Sequence, residues 1–88
     1  MVTKQIKIIP LAKKKLVQRG VDESMVLETV NNPDQIVKGH GGRYVAQKQY
    51  QFSSSEYLLR VVYEEESNEF VVITGYLTSQ ISKYREVE

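Results

Sequence analysis

Two strongly apolar runs dominate the second half of the chain. Tyr57–Tyr63 reads Tyr-Leu-Leu-Arg-Val-Val-Tyr, and Glu69–Tyr76 reads Glu-Phe-Val-Val-Ile-Thr-Gly-Tyr. Both are rich in β-branched and aromatic residues, which suit a pleated surface. Glu64-Glu65-Glu66-Ser67-Asn68 lies between them, too polar to bury and supplied with turn formers. The pattern predicts a β-hairpin with a loop of four or five residues. The unbroken apolar run Phe70–Ile73 predicts that its second strand is covered on both faces. Upstream, Arg43–Phe52 alternates. Tyr44, Ala46, Lys48, Tyr50 and Phe52 share one side; Arg43, Val45, Gln47, Gln49 and Gln51 share the other, whose polarity predicts a solvated face. Ser53-Ser54-Ser55-Glu56 forms the turn between this strand and the hairpin.

The first half has helical punctuation. Val2–Ile9 alternates loosely and predicts a first strand, and Pro10 suits the opening turn of a helix. Leu11–Arg19 follows with Ala12 and Leu16 on one stripe, and Gly20 is placed to close it in a left-handed conformation. Asp22 predicts an N-cap for a second helix, with Val21 and Val26 as a hydrophobic staple. Val26 and Val30 carry that helix's stripe, bordered by Met25 and Leu27, until Asn31-Asn32-Pro33-Asp34 stops it. Gln35–Lys38 predicts a short strand ended by Gly39-His40-Gly41-Gly42, and Leu77–Arg85 a polar tail or single helical turn. The expected fold is α+β. Two N-terminal helices pack on one face of a twisted, mainly antiparallel sheet of four to five strands, in the order β-α-α-β-β-β-β.

Length and composition narrow this further. The 88 residues make one domain, 1–88, with a modest core and no repeat or dividing linker. No apolar run is long enough to span a bilayer, and Lys4 and Lys7 interrupt the N-terminal segment where a signal peptide would need an apolar core. The absence of cysteine excludes disulfides and thiolate metal sites and fits a cytoplasmic protein. The net charge is only +1, but it is unevenly spread. Lys4, Lys7, Lys13, Lys14, Lys15 and Arg19 give the first nineteen residues +6 without an acid, while Asp22, Glu23, Glu28 and Asp34 give the next fifteen −4. Such asymmetry allows a local positive field, or simply a solvated face balanced by acidic neighbours.

Most catalytic templates fail on residue content. One histidine and no cysteine argue against thiol nucleophiles and hydrolytic metal centres, so neither metal nor cofactor is expected. The glycine-rich segment around His40 leads into a strand, whereas a phosphate cradle needs a helix N-terminus or a nest of amides. His40 is a candidate acid or base, or a loop bystander. Arg60 is flanked by Leu58 and Val62 on its own face, where a charge needs an acidic partner such as Glu69, water or a ligand. Lys14, Lys15 and Arg19 on the first helix, and Arg43 and Lys48 on one strand, complete the basic set. Tyr44, Tyr50, Phe52, Tyr57, Tyr63 and Tyr76 either stack bases or pack the core and its rim.

One set of motifs resembles a known family. Leu11-Ala-Lys-Lys-Lys-Leu-Val-Gln-Arg-Gly-Val21, Val26, Asn32-Pro33-Asp34, Val61-Val-Tyr-Glu and Val72-Ile-Thr-Gly-Tyr76 resemble an uncharacterised bacterial family. Its members open with His-Ala-x-x-Arg-(Met/Leu)-x-x-Arg-Gly-Ile and are grouped with the RelE/ParE-like toxins. The closing Leu77–Tyr84 is similar to tails found there. The resemblance covers nearly the whole chain through short, degenerate motifs. It implies a RelE-like sheet backed by two helices. It further implies a metal-independent ribonuclease that activates a ribose 2′-hydroxyl and stabilises the phosphorane with basic side chains. Arg19 and Lys15 fill the motif's basic positions, but Leu11 replaces its histidine.

Two functions follow from that resemblance. In the first, Lys48 and Arg60 clamp phosphate while His40 or Tyr84 handles the proton, and Lys14, Lys15, Arg19, Arg43 and Lys83 bind RNA. In the second, the domain binds RNA or a protein partner without cutting. Expected partners are RNA, an antitoxin protein, or a second copy paired through a strand edge; no membrane is expected.

Overall fold

The computed structural model describes residues 4–86. A five-stranded sheet has the order β1-β5-β4-β3-β2. Its strands are β1 (Gln5–Ile8), β2 (Gln35–Lys38), β3 (Tyr44–Phe52), β4 (Ser55–Glu65) and β5 (Glu69–Thr78). Helices α1 (Pro10–Gln18) and α2 (Glu23–Asn31) join the two edge strands, and a one-turn α3 (Ile81–Tyr84) follows β5. The α+β class is as the sequence predicts, and the strands and longer helices run β-α-α-β-β-β-β before α3. The sheet is mixed because β1 pairs parallel to β5, the other three pairings being antiparallel. Of the first predicted strand, Val2 and Thr3 lie outside the described residues.

Both helices pack on one face. Ala12 and Leu16 from α1 and Val26 and Val30 from α2 meet Ala46, Leu59, Val61, Tyr63 and Val72 of the sheet. Pro10 occupies the first helical turn, and Gly20 adopts φ +69° after α1, as its C-terminal position requires. Val21 and Val26 are both buried, consistent with a staple, whereas Asp22 stands at the N-cap without a side-chain hydrogen bond. Thr29 is also wholly buried; its hydroxyl donates to the Met25 carbonyl 2.7 Å away, so its oxygen is not stranded. Gly75 lets α1 approach β5 closely, since a Cβ there would lie 3.1 Å from Leu16 Cδ2.

Four expectations need correction. The β4–β5 loop contains three residues, Glu66–Asn68, because Glu64 and Glu65 continue the ladder and Lys4 pairs with Glu65 at 2.6 Å. The turn before β4 is just Ser53-Ser54, with Ser53 at φ 54°. Val71 and Ile73 are only partly covered, since the helices shield one face. The polar side of β3 is not wet at its centre: Val45 is 5% exposed and Gln47 0%. Alternation identifies which residues share a face, but it does not say what lies over that face.

A bulge in β5 organises the face away from the helices. Val62 opposes Thr74 while Tyr63 opposes Val72, so Ile73 is the extra residue. It reverses the alternation of β5. Before the bulge Val72 faces the helices; beyond it Gly75 and Leu77 do, which turns Thr74 and Tyr76 to the opposite face, beside Arg60.

Candidate functional site

Directly opposed residues on neighbouring strands share a face, so the register writes out the open face row by row. Gln35 opposes Gln47, Gln47 opposes Arg60, and Arg60 opposes Tyr76, forming one row across four strands. The next row is Val37, Val45, Val62 and Thr74. Over this second row lies a cleft of about 470 Å³. Val45 and Val62 supply its apolar floor, Arg60 and Tyr76 one wall, and Lys38, His40 and Arg43 the opposite rim. That volume suits a ligand of nucleotide size. Among the described residues, no acid lines it.

Arg60 is the best-defined group in the cleft. Its Nε donates to Gln47 Oε1 at 2.7 Å and its Nη1 to the Tyr76 hydroxyl. The Tyr84 ring, carried by α3, lies 4.2 Å from the guanidinium carbon, and the Tyr76 ring 5.7 Å away. These partners are all neutral. The ion pair with Glu69 considered from the sequence does not form, Glu69 lying at the far end of β5 opposite Gln5. A fixed, partly buried cation without a carboxylate is poised for an external anion. Arg43 does meet an acid, Glu64, but at 3.9 Å with both side chains almost half exposed. Such a surface pair contributes little and yields readily to a stronger anion.

The rim is set by local backbone geometry. After β2, Gly41 and Gly42 take φ +65° and +78°, a left-handed turn that glycine adopts without strain. Gly39 donates to the Arg43 carbonyl at 2.8 Å, and Arg43 to the His40 carbonyl at 3.2 Å, closing the loop. His40 is exposed on this rim, with its side chain unpaired among the described residues.

The structure thus gathers Arg60, Arg43, His40 and Tyr84 on one face. Lys83 lies close by, its Nζ 5.2 Å from the Tyr84 ring centre. Tyr84 is stacked on Arg60, which gives it a packing role rather than that of a free acid. Lys48 falls elsewhere. It opposes Leu59, not Arg60, so it points to the helix side, where it donates to the Asn32 carbonyl at 3.0 Å and pairs with Asp34 at 3.7 Å. It therefore cannot clamp a phosphate together with Arg60. Lys14 and Lys15 belong to α1, behind the sheet. Arg19 acts structurally, because β1 stops at Ile8 and leaves the rest of β5 without an outer partner. Arg19 Nη1 caps that edge through the Gly75 carbonyl and Thr74 Oγ1, both at 3.0 Å. Lys38, Thr74 and Gln47 complete the site without having stood out in sequence, and Tyr76, a candidate there only for stacking, joins them as a partner of Arg60. For Gln47, the in-register pairing with Arg60 would have been the only signal.

The aromatic set divides. Tyr44, Tyr63 and Phe70 form a stacked and edge-on group at the core, and Tyr50, Phe52 and Tyr57 another toward the β3–β4 turn. Burial, chiefly, raises the Tyr63 hydroxyl above its usual pKa, and does the same for Tyr50 with help from its hydrogen bond to Glu28. Of the six candidate stacking residues, Tyr76 alone lines the cleft.

No cluster of three His, Asp or Glu side chains with metal-binding geometry occurs among the described residues. No described helix is long and apolar enough to cross a membrane. No protein-family model, curated protein or solved structure matches this chain.

Proposed function

We propose that this is a RelE/ParE-like domain that binds single-stranded RNA across the open face of its sheet, holding phosphate in the cleft between Arg60 and Arg43. The carrying observation is Arg60, fixed by Gln47, Tyr76 and Tyr84 in a cleft that no described acid lines. Arg60 Nη2 has no protein partner among the described residues and is available to a phosphate oxygen. Arg43 and Lys38 add exposed positive charge, while Val45, Val62 and the Tyr76 ring offer apolar surface to a sugar or base.

His40 on the same rim supports a second reading, metal-independent cleavage. There His40 would accept the ribose 2′-hydroxyl proton, the 2′-oxygen would attack phosphorus, and the leaving 5′-oxygen would take up a proton. The products would be a 2′,3′-cyclic phosphate and a free 5′-hydroxyl, with Arg60 and Arg43 stabilising the pentacoordinate phosphorus. An antitoxin segment covering this face fits either reading. The outer edge of β2, with Ile36 51% exposed, offers a backbone for such a segment or for a second copy.

The test is titration of labelled single-stranded RNA by fluorescence anisotropy. Arg60→Leu should weaken binding at least about tenfold, the range for losing a charge-assisted contact. Lys14→Ala with Lys15→Ala, behind the sheet, should change it far less. Equal losses from both faces would refute the assignment. Cyclic-phosphate ends that disappear in His40→Gln would select the ribonuclease reading; binding without new ends selects the non-catalytic one.

A further inference from the structure

The row that forms one wall of the cleft continues into the C-terminal segment. Gln35 Nε2 donates to the Glu86 carbonyl at 2.8 Å, and the Glu86 amide donates to Gln35 Oε1 at 2.9 Å. A side-chain amide thus pairs with a backbone amide as one strand residue pairs with another. Gln47 Nε2 reaches Gln35 Oε1 at 3.1 Å and the Tyr84 carbonyl at 3.3 Å, while its Oε1 accepts from Arg60 Nε. Arg85 adds a bond to Gln49 Oε1 at 3.3 Å. A chain of hydrogen bonds therefore runs from Glu86 through Gln35 and Gln47 to Arg60 and Tyr76, and the Tyr84 ring closes over the same guanidinium.

We infer that Gln47 is a positioning residue that couples the seating of residues 84–86 to the orientation of Arg60, an inference that rests on the cleft's role in binding RNA. Gln47 is wholly buried and must satisfy both ends of its amide. With Tyr84 and Gln35 holding Nε2, Oε1 is presented to Arg60 and the guanidinium is aimed along the row. If the tail lifts, the amide loses the Tyr84 carbonyl and the anchored Gln35 and is free to rotate, and Arg60 loses its stacked ring at the same time. The tail and the cleft are then two sites joined by one two-state element, so coupling acts equally in both directions.

The test uses the full chain and Gln35→Leu, which leaves the cleft lining untouched. Its readouts are Arg60 Nε–H exchange by NMR, tryptic cleavage after Lys83 and Arg85, and affinity for a single-stranded RNA oligonucleotide. Gln35→Leu should speed both exchange and cleavage and weaken RNA binding about tenfold, within the usual span of coupling between sites. In the native chain, saturating RNA should slow cleavage at Lys83 and Arg85. Gln47→Leu, the more severe change, should abolish that protection. Faster tail cleavage with unchanged Arg60 exchange in Gln35→Leu would overturn the coupling, since a merely structural tail would behave in that way. If the native chain binds no RNA, the proposed function fails, while exchange and cleavage in Gln35→Leu still decide the coupling. RNA binding without tail protection would sink the coupling alone.

Discussion

The approach of α1 to β5 at Gly75 gives a prediction whose sign reverses with context. Gly75 is buried and lies outside the left-handed region, so alanine is allowed by the backbone. Restricting the unfolded chain would contribute about 0.4–1 kcal/mol in favour of alanine. Against this, the added methyl would stand 3.1 Å from Leu16 Cδ2 and 3.4 Å from the Arg60 carbonyl. Leu16 is 1% exposed and enclosed, so it yields only by repacking, and overpacking of this kind costs about 1–3 kcal/mol. The net expectation for Gly75→Ala is a loss of about 1 kcal/mol, from these two ranges. Leu16→Ala alone should cost about 2–5 kcal/mol by opening a cavity in that same place. Once Leu16 is shortened the clash is gone, and the methyl added at position 75 partly fills the void. Gly75→Ala should then be neutral or stabilising in the Leu16→Ala background, a coupling of about 1–2 kcal/mol for residues in contact. Urea denaturation of the four proteins, with equal m-values as the check on a common unfolding reaction, reads this out. Additive losses would show that the helix does not rest on Gly75, and the close packing of α1 on β5 would be refuted.

Other perturbations test separate parts of the structure. Lys48→Met should leave RNA affinity nearly unchanged and cost less than about 1 kcal/mol of stability, as for exposed ion pairs; a loss of affinity matching that of Arg60→Leu would contradict the two-face assignment. Gly41→Ala forces a left-handed alanine and should cost about 1–2 kcal/mol while weakening RNA binding by misplacing the His40–Arg43 rim; an unaltered unfolding midpoint would argue against that turn. Tyr50 and Tyr63 have folded-state pKa values raised above the ordinary tyrosine value, so the folded chain holds those protons more tightly than the unfolded chain. The stability linked to them is fully present below the unfolded tyrosine pKa and is lost as pH rises through the folded values, so urea midpoints should fall in the alkaline range. Tyr63→Phe should reduce that fall, and an identical pH profile would rule out this residue as a source.

Much of the fold could be read in the sequence because its signals are local. Pro10, Gly20, Asp22 and Pro33 mark helix ends through backbone chemistry that needs no tertiary context, and the Ala12–Leu16 and Val26–Val30 stripes repeat with the helical turn. The alternation in β3 likewise separates Tyr44, Ala46 and Lys48 from Val45, Gln47 and Gln49. What it could not reveal is that α3 and residues 84–86 return over the polar side and bury Gln47, because that cover comes from nearly forty positions downstream. Lys48 and Arg60 are expected from the sequence to clamp one phosphate together, but nothing local says whether their strands turn them to the same face. Their opposite orientations depend on the β3–β4 register, fixed by the Ser53-Ser54 turn, which pairs Lys48 with Leu59. The Ile73 bulge was hidden for the same reason. A continuous apolar run gives no sign that one of its residues goes unopposed, and it is this extra residue that turns Tyr76 toward Arg60.

The salt dependence of RNA affinity tests the cleft most directly, measured for the native chain and for Arg43→Ala and Arg60→Leu. Contact of Lys38, Arg43 and Arg60 with phosphates predicts a log–log slope of about −2 for the native protein and a slope shallower by about 0.7 for each arginine removed. A slope near zero, or one that neither substitution changes, would contradict phosphate binding on this face.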